Sequence, residues 1–314
     1  FRMGRFWSRQ PPSDSGTNRT ADLDFAKKSV GDGMCFFRNA VFGAIPGALC
    51  SALPAQAGGD EDYANYRKTD GTPQSVLLSY YDGPDTRGFA WQTAASVTSG
   101  KVWIRKGDYK SADEIVGMSD TVELAATSVV QTKYNCTAHK AHTASLAEGL
   151  WSYCLGNGDK TACGQFTVRS ADGAITAVNV NDIQTKIASK LGFWGNTIDA
   201  TCATLPSGFD FILSGGDFID GSSDVGADDY VQWGVIADTA RSKFGDAPWI
   251  MTCGNHESEA YDNGYEIFKE LVSEKFDYTS APKHIGCHVF RQGGAAILTL
   301  PYYNNNATVP SAVE

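Results

Sequence analysis

The chain has 314 residues, of which 42% are hydrophobic and 20% charged, and its formal net charge is −10. This length suits two domains better than one, and the hydrophobic fraction is sufficient for packed cores. The pI near 5.0 argues against nucleic acid as a partner, because a phosphate backbone is bound by a basic face. The most apolar segment, 40–55, contains Pro46 and Pro54 and is too short to span a membrane.

Residues 1–70 are interpreted as an N-terminal extension. A loop-like run of Pro, Ser, Asp and Gly covers 11–16, and Cys35 and Cys50 flank an apolar patch and could pair with each other. We identify no chemistry here and expect the segment to wrap over a neighbouring domain or a partner chain. Because the chain begins at Phe1 without a signal-like stretch, we expect a processed or partial product.

Residues 71–170 have the pattern of an all-β domain. Alternating or apolar runs predict strands at 75–80, 89–93, 101–105, 151–155 and 165–169. Short strands at this spacing favour a β-sandwich of about 100 residues. Cys154 and Cys163 flank a Gly-rich turn and are the simplest disulfide to propose, whereas His139 and His142 are expected at the surface.

From residue 171 to 314, predicted strands and helices alternate, which indicates α/β layers. Strands are predicted at 174–180, 209–214, 248–253 and 294–300, and helices at 183–191, 230–244 and 265–275. The helix at 230–244 is amphipathic, with large apolar residues along one side.

Two short motifs follow predicted buried strands: Gly215-Gly216-Asp217, and Gly254-Asn255-His256-Glu257. Asp182 follows a third strand. Strand ends at the edge of an α/β sheet are where such folds bind ligands. A carboxylate, an amide oxygen and an imidazole near one point suit a two-metal centre that cleaves phosphate esters.

These motifs, with Asn181-Asp182-Ile183-Gln184 and the run 209–220, resemble the calcineurin-like metallophosphoesterases. They resemble most closely the purple acid phosphatase branch, in which a fibronectin-III-like domain precedes the catalytic domain. The resemblance covers about 72–314 and includes Trp91 and the stretches 150–153 and 165–170. It implies a fibronectin-III-like β-sandwich at 71–170, followed at 171–314 by a metallophosphoesterase domain of layered α/β/β/α type.

The resemblance also implies roles. Asp182 would bind the first metal, Asp217 would bridge two metals, and Asn255 would bind the second through its amide oxygen. His256 would protonate the leaving alkoxide or stabilise charge on the phosphoryl group, while a metal-bound hydroxide attacks phosphorus. The implied function is a secreted metal-dependent phosphomonoesterase of acid phosphatase type.

Three positions depart from the family pattern. Gln184 replaces a His, Asp220 replaces the Tyr of purple enzymes, and Asn181 replaces a Gly. Gln184 is expected to be a weak oxygen ligand or to hydrogen-bond to a metal ligand. Asp220 is likewise expected to contact a metal ligand and not the metal itself. Two divalent or trivalent ions are expected. Without the Tyr, the sequence does not distinguish among Fe, Zn, Mn and Mg.

Two histidine motifs that the family carries after Gly-Asn-His, Val-x-x-His and Gly-His-x-His, do not occur in this sequence. Downstream of His256 there are only His284 and His288, and His288 is interpreted as the entry to a strand at 289–290. The phosphoesterase domain is therefore expected to be incomplete at its C-terminus. Its remaining ligands are expected on residues outside this sequence, for example on a companion chain or C-terminal fragment.

Eight cysteines, with no C-x-x-C pair, favour disulfides over a zinc ribbon and an oxidising compartment over the cytosol. Three N-x-[ST] sequences predict glycosylation at Asn18, Asn135 and Asn306. We therefore expect an extracellular or vacuolar-lysosomal glycoprotein, for which an oligomer is possible.

Two other functions are compatible with the same residues. One is a structural, adhesive or assembly glycoprotein on a catalytically impaired phosphatase fold, which the departures at Gln184 and Asp220 favour. The other is a diesterase or nucleotide pyrophosphatase, which only the size of the pocket would distinguish.

Overall fold

The structure is a computed structural model that describes residues 66–170, 172–184, 191–221, 229–259, 266–275 and 288–299. The strands are β1 (Gln74–Ser79), β2 (Gly88–Ala94), β3 (Lys101–Lys106), β4 (Val122–Ala125), β5 (Thr127–Gln131), β6 (Cys136–His142), β7 (Gly149–Gly156), β8 (Thr161–Val168), β9 (Ala177–Val180), β10 (Phe211–Ser214), β11 (Trp249–Met251), β12 (His288–Gln292) and β13 (Ala295–Thr299). The helices are α1 (Leu191–Thr204), α2 (Asp229–Phe244), α3 (Asn255–Glu259) and α4 (Glu266–Leu271). None of them is long and apolar enough to cross a membrane.

One mixed sheet joins the two halves of this region. Its strand order is β5-β6-β2-β1-β11-β10-β9, in which β1, β11, β10 and β9 run parallel and the other strands pair antiparallel. A four-stranded antiparallel sheet has the order β4-β3-β7-β8, and β12 and β13 form a hairpin.

The seven-stranded sheet is covered on both faces, as the alternation in β1 requires. Leu77 belongs to the core with α1, α2 and α4, whereas Val76 and Leu78 belong to the core with the four-stranded sheet. A separate small core contains Phe211 of β10 and Ile250 of β11, which pack with Ile297 of the β12–β13 hairpin. A layered, sheet-rich α/β architecture is thus confirmed, with helices on one face and β structure on the other.

The predicted domain boundary at residue 170 coincides with no break in the main sheet. Ser79 of β1 pairs with Trp249 of β11, so strands assigned to the sandwich and strands assigned to the phosphoesterase domain share one sheet. The division into 1–70, 71–170 and 171–314, the fibronectin-III-like assignment and the C-terminal incompleteness stay predictions.

Most predicted elements agree with the structure within a few residues, but the helices deviate. Residues 183–184 of the helix predicted at 183–191 are not helical, and 185–190 lie outside the described residues. Helix α1 was not predicted, and the helix predicted to 275 ends at Leu271. The strand expected at 289–290 is part of β12.

The predicted disulfide between Cys154 and Cys163 is confirmed. The two residues face each other on the adjacent strands β7 and β8, and they pack with Trp103 and Ile115. The proposed pairing of Cys35 with Cys50 lies outside the described residues.

The loops after β10 and β11 cross at two glycines. A Cβ atom added to Gly216 would lie 2.0 Å from the nitrogen of Gly254, and one added to Gly254 would lie 2.4 Å from the nitrogen of Asp217. Gly216 also has φ 103°, which disfavours other residues. The backbones can approach this closely only because neither position carries a side chain.

The prediction that His139 lies at the surface is wrong. Its side chain is fully buried, stacks on Trp91 and hydrogen-bonds through both ring nitrogens, to Thr93 Oγ1 at 2.8 Å and to Ser128 Oγ at 2.7 Å. Burial lowers the pKa of His139 to about 4. His142, in contrast, is exposed as predicted.

We expect His139 to make the fold sensitive to acid. The unfolded chain takes up a proton near pH 6.5 that the folded chain does not bind until about pH 4, so the free energy of unfolding falls as the pH drops through this window. The loss is roughly 3 kcal/mol. Urea unfolding of wild type, His139→Gln and His142→Gln at about pH 5 and about pH 7.5 tests this. His139→Gln should remove most of the difference between the two pH values and His142→Gln should keep it; an unchanged difference in His139→Gln contradicts the assignment.

Gly254→Ala is expected to push the two crossing loops apart. The added methyl group meets the backbone of Asp217, which cannot turn away as a flexible side chain can. We expect the free energy of unfolding to fall by about 1–3 kcal/mol. Gly195→Ala in α1 is the matched control, because its Cβ meets no atom within 4 Å and alanine favours a helix. Equal stability of the two variants in chemical denaturation would argue against the tight crossing.

Candidate metal centre

The site lies where three parallel strands end. Val180 of β9 pairs with Ser214 of β10, and Ser214 pairs with Met251 of β11, so the three carboxyl ends meet at one edge of the sheet. The loops that leave this edge carry Asp182, Asp217 and the Asn255-His256-Glu257 stretch. The structure therefore brings together the loops that the sequence pointed to.

Asp182 and Asp217 form the acidic part of the site. Their side chains are in hydrogen-bonding contact, and the pKa of Asp182 is raised by partial burial and by the neighbouring Asp217 carboxylate, although His256 lowers it. Both residues have left-handed backbones, with φ 55° and 54°. Asp can adopt this conformation, at a cost, because its short side chain hydrogen-bonds locally.

Backbone hydrogen bonds hold the two acidic loops against each other. The nitrogen of Asp182 donates to the carbonyl of Gly216 at 3.3 Å, and the nitrogen of Gln184 donates to the carbonyl of Asp217 at 3.1 Å. The side-chain oxygen of Asn181 accepts from the nitrogen of Gly215. Asn181, which replaces the glycine of the family pattern, thus fastens the β9 loop to the β10 loop.

His256 is fixed at both its backbone and its ring. Its backbone nitrogen donates to Asp217 Oδ1 at 2.9 Å, and Nδ1 hydrogen-bonds to the backbone carbonyl of Asp220. A carbonyl can only accept, so Nδ1 carries the proton and Nε2 remains available. Gln232 of α2 accepts from the nitrogen of Asp220 at 3.1 Å, so α2 positions the group that orients the histidine ring.

Two amides complete the set of predicted site residues. Asn255 is half-buried at the first position of α3. The side-chain oxygen of Gln184 is buried and has no hydrogen-bond partner in the described part of the chain. A buried amide oxygen without a donor is a suitable ligand for a hard cation.

The donor set fits a divalent cation in part. Two adjacent carboxylates, of which Asp182 has a raised pKa, beside an amide oxygen without a partner among the described residues, are the oxygen-rich surroundings that Mg²⁺ or Mn²⁺ prefers. Within the described ranges, however, no three His, Cys, Asp or Glu side chains are grouped so that they could hold a metal. The dinuclear centre and its ligands therefore stay predictions.

Glu257 is a site residue to which sequence reasoning gave no role. Its carboxylate is fully buried between the two crossing loops and accepts hydrogen bonds from the nitrogens of Gly254 at 2.7 Å and Asp217 at 2.8 Å. It also accepts from Phe218 at 2.6 Å and Ile219 at 3.2 Å. Burial raises the pKa of Glu257, and these backbone donors oppose the shift. The signal in the sequence was an acidic residue directly after His256.

Of the three predicted glycosylation sites, only Asn135 falls in the described ranges. It is exposed and ends a short 3-10 turn in a left-handed conformation, with φ 52°. Asn18, Asn306 and His284 lie outside the described residues.

Comparison with known proteins matches one family model, and the similar solved structures include two distant ones. The family model described as calcineurin-like phosphoesterase matches residues 178–304. A purple acid phosphatase isolated from yellow lupin (Lupinus luteus) seeds is similar at 13% identity and a TM-score of 0.44, over 60% of this chain and 36% of that one. The chitinase ChiW of Paenibacillus sp. is similar at 12% identity and a TM-score of 0.22, over 61% and 17%. No curated protein matches.

The chain thus spans about a third of the length of the lupin phosphatase chain and less of the chitinase chain. The family match covers less than half of the chain, but it includes all of β9 except Ala177, the strands β10 and β11, and every residue of the candidate centre. Residues 178–304 are accordingly similar in sequence to the calcineurin-like phosphoesterases.

Proposed function

We propose that this protein hydrolyses phosphate monoesters in a metal-dependent reaction at the edge formed by β9, β10 and β11. One observation carries the proposal: the carboxylates of Asp182 and Asp217 are in contact, and the same Asp217 carboxylate accepts a hydrogen bond from the backbone nitrogen of His256. Two cation ligands and a proton donor therefore lie together. The family match over 178–304 supports phosphoester chemistry.

Asp182 and Asp217 would hold the metal, with oxygen atoms of Asn255 and Gln184 as further ligands. When bound, a divalent cation neutralises charge on a phosphoryl group and makes a water molecule more acidic. Two carboxylates are fewer ligands than a firmly held ion needs, so the others are expected from residues outside the described ranges or from a companion chain. Asp217 would also be a ligand of a second ion in the same proposal.

His256 supplies the acid in this proposal. Nδ1–H donates to the Asp220 carbonyl, so a doubly protonated ring would give its Nε2 proton to the leaving alkoxide and keep the proton on Nδ1. The bonds at its backbone and its ring leave the imidazole little freedom, which places the proton donor before substrate arrives. Asp220 would therefore act through its backbone on His256.

We extend the proposal to a secreted or vacuolar-lysosomal location. The disulfide between Cys154 and Cys163 supports an oxidising compartment, and the exposed Asn135 supports glycosylation. The sequences at Asn18 and Asn306 are further acceptor sites in this proposal.

A structural or adhesive glycoprotein is the second candidate function. The observation that favours it is the lack, within the described ranges, of three His, Cys, Asp or Glu side chains placed to hold a metal. Both candidate functions require the same fold, and only the phosphoesterase requires turnover of a phosphate ester.

Hydrolysis of a chromogenic phosphate monoester with added Mn²⁺ or Zn²⁺ separates the two candidates. We expect turnover that a chelator abolishes and that His256→Ala lowers by about 10²–10⁴-fold in kcat, because the proton donor is lost. His142→Ala is the control, since His142 is exposed and belongs to β6, outside the site. A folded wild type without turnover under these conditions would favour the structural candidate, and faster cleavage of a diester than of a monoester would favour a diesterase.

A further inference from the structure

Glu257 connects the two loops that carry the candidate ligands. Its Oε1 accepts from the nitrogens of Phe218 and Ile219 in the loop after β10, and its Oε2 accepts from Asp217 of that loop and from Gly254 after β11. A carboxylate without solvent exposure, with four backbone donors from two loops, has both oxygens fully used.

Glu257 is adjacent to the proposed site residues but is not itself proposed as a metal ligand or a proton donor. It follows His256 directly in α3, and the nitrogen of His256 donates to the side chain of Asp217. Helix α3 therefore makes two hydrogen bonds to Asp217. The backbone nitrogen of His256 donates to its side chain, and Glu257 accepts from its backbone nitrogen. Because Gly216 and Gly254 are in backbone contact, a side chain at either position would clash with the other loop.

The geometry explains how a left-handed Asp217 is maintained. Asp217 has φ 54°, which is unfavourable for a residue with a Cβ atom, so other contacts must hold it. The hydrogen bonds of Glu257 to the nitrogens of Asp217, Phe218 and Ile219 fix the turn at this residue and the two that follow. An amide in place of the carboxylate would turn an N–H group toward backbone donors and lose half of these bonds.

We propose that Glu257 is a positioning residue, which holds Asp217 and His256 at a fixed separation and so prepares the cation site before a metal or substrate binds. The proposal rests on the function proposed above and adds a residue that touches neither metal nor substrate. Glu257 would increase the affinity for the cation and reduce the motion of the two loops.

Glu257→Gln tests the proposal against Glu274→Gln as a matched control. Glu274 is also a buried acid, but the nitrogen that donates to it at 2.8 Å is that of Met251, which belongs to strand β11 and to neither crossing loop. Two quantities are measured: amide hydrogen exchange at 217–219 and 254, and the affinity for Mn²⁺ by calorimetry. Glu257→Gln should speed exchange at these amides and weaken Mn²⁺ binding, each by about tenfold or more. Glu274→Gln should change neither, even if its melting temperature falls.

Wild-type Mn²⁺ affinity in a Glu257→Gln variant whose loops exchange faster would overturn the proposal, and so would unchanged exchange. If Glu257→Gln does not fold, Glu257→Asp decides: it keeps the charge but is one methylene shorter, and it should bind Mn²⁺ at least about threefold more weakly in a folded protein. A wild type that neither binds Mn²⁺ nor hydrolyses esters would refute the proposed function. Even then, exchange at the two loops would still decide whether Glu257 holds them together.

Discussion

The backbone contact between Gly216 and Gly254 is the constraint on which the candidate site depends. Parallel pairing of β10 with β11 brings their carboxyl ends to one edge, but it does not bring the following loops into contact. Two positions without a Cβ atom allow that contact, and it leaves backbone N–H groups from both loops facing a space closed to water. The carboxylate of Glu257 satisfies them, so the crossing and the buried acid require each other.

Strain is concentrated where the chemistry is proposed. Among the described residues, four that are not glycine have positive φ, and two of these four are Asp182 and Asp217. Each is held by a backbone hydrogen bond to the other's loop, from Asp182 to Gly216 and from Gln184 to Asp217. Ligand residues in an uncommon backbone conformation, over-determined by their surroundings, are typical of sites that must be preorganised.

The sequence predicted what is local and missed what is not. Strand periodicity located β9, β10 and β11, and turn motifs located the acidic loops. The pairing of β1 with β11 joins segments far apart in the chain and has no local pattern, so the shared sheet was not predicted. Helix α1 contains Gly192 and Gly195, which lower helix propensity, and tertiary packing of Trp194 and Ile198 overrides that preference. His139 was assigned to the surface and Glu257 received no role, because the partners that let a polar side chain be buried cannot be read from the local sequence.

The electrostatics of the site favour a metal over a purely structural role. The Asp182 carboxylate is in contact with Asp217, and burial together with this neighbour raises the pKa of Asp182. Glu257 adds a third acid beside the two loops. Glycine at either position would remove the repulsion and the left-handed strain together, so the two Asp residues bring a scaffold protein no gain in stability. A cation would compensate the charge, and the fixed backbone would direct each carboxylate toward it. The oxygen of Gln184, which has no partner among the described residues, is explained in the same way, since a cation would give it one.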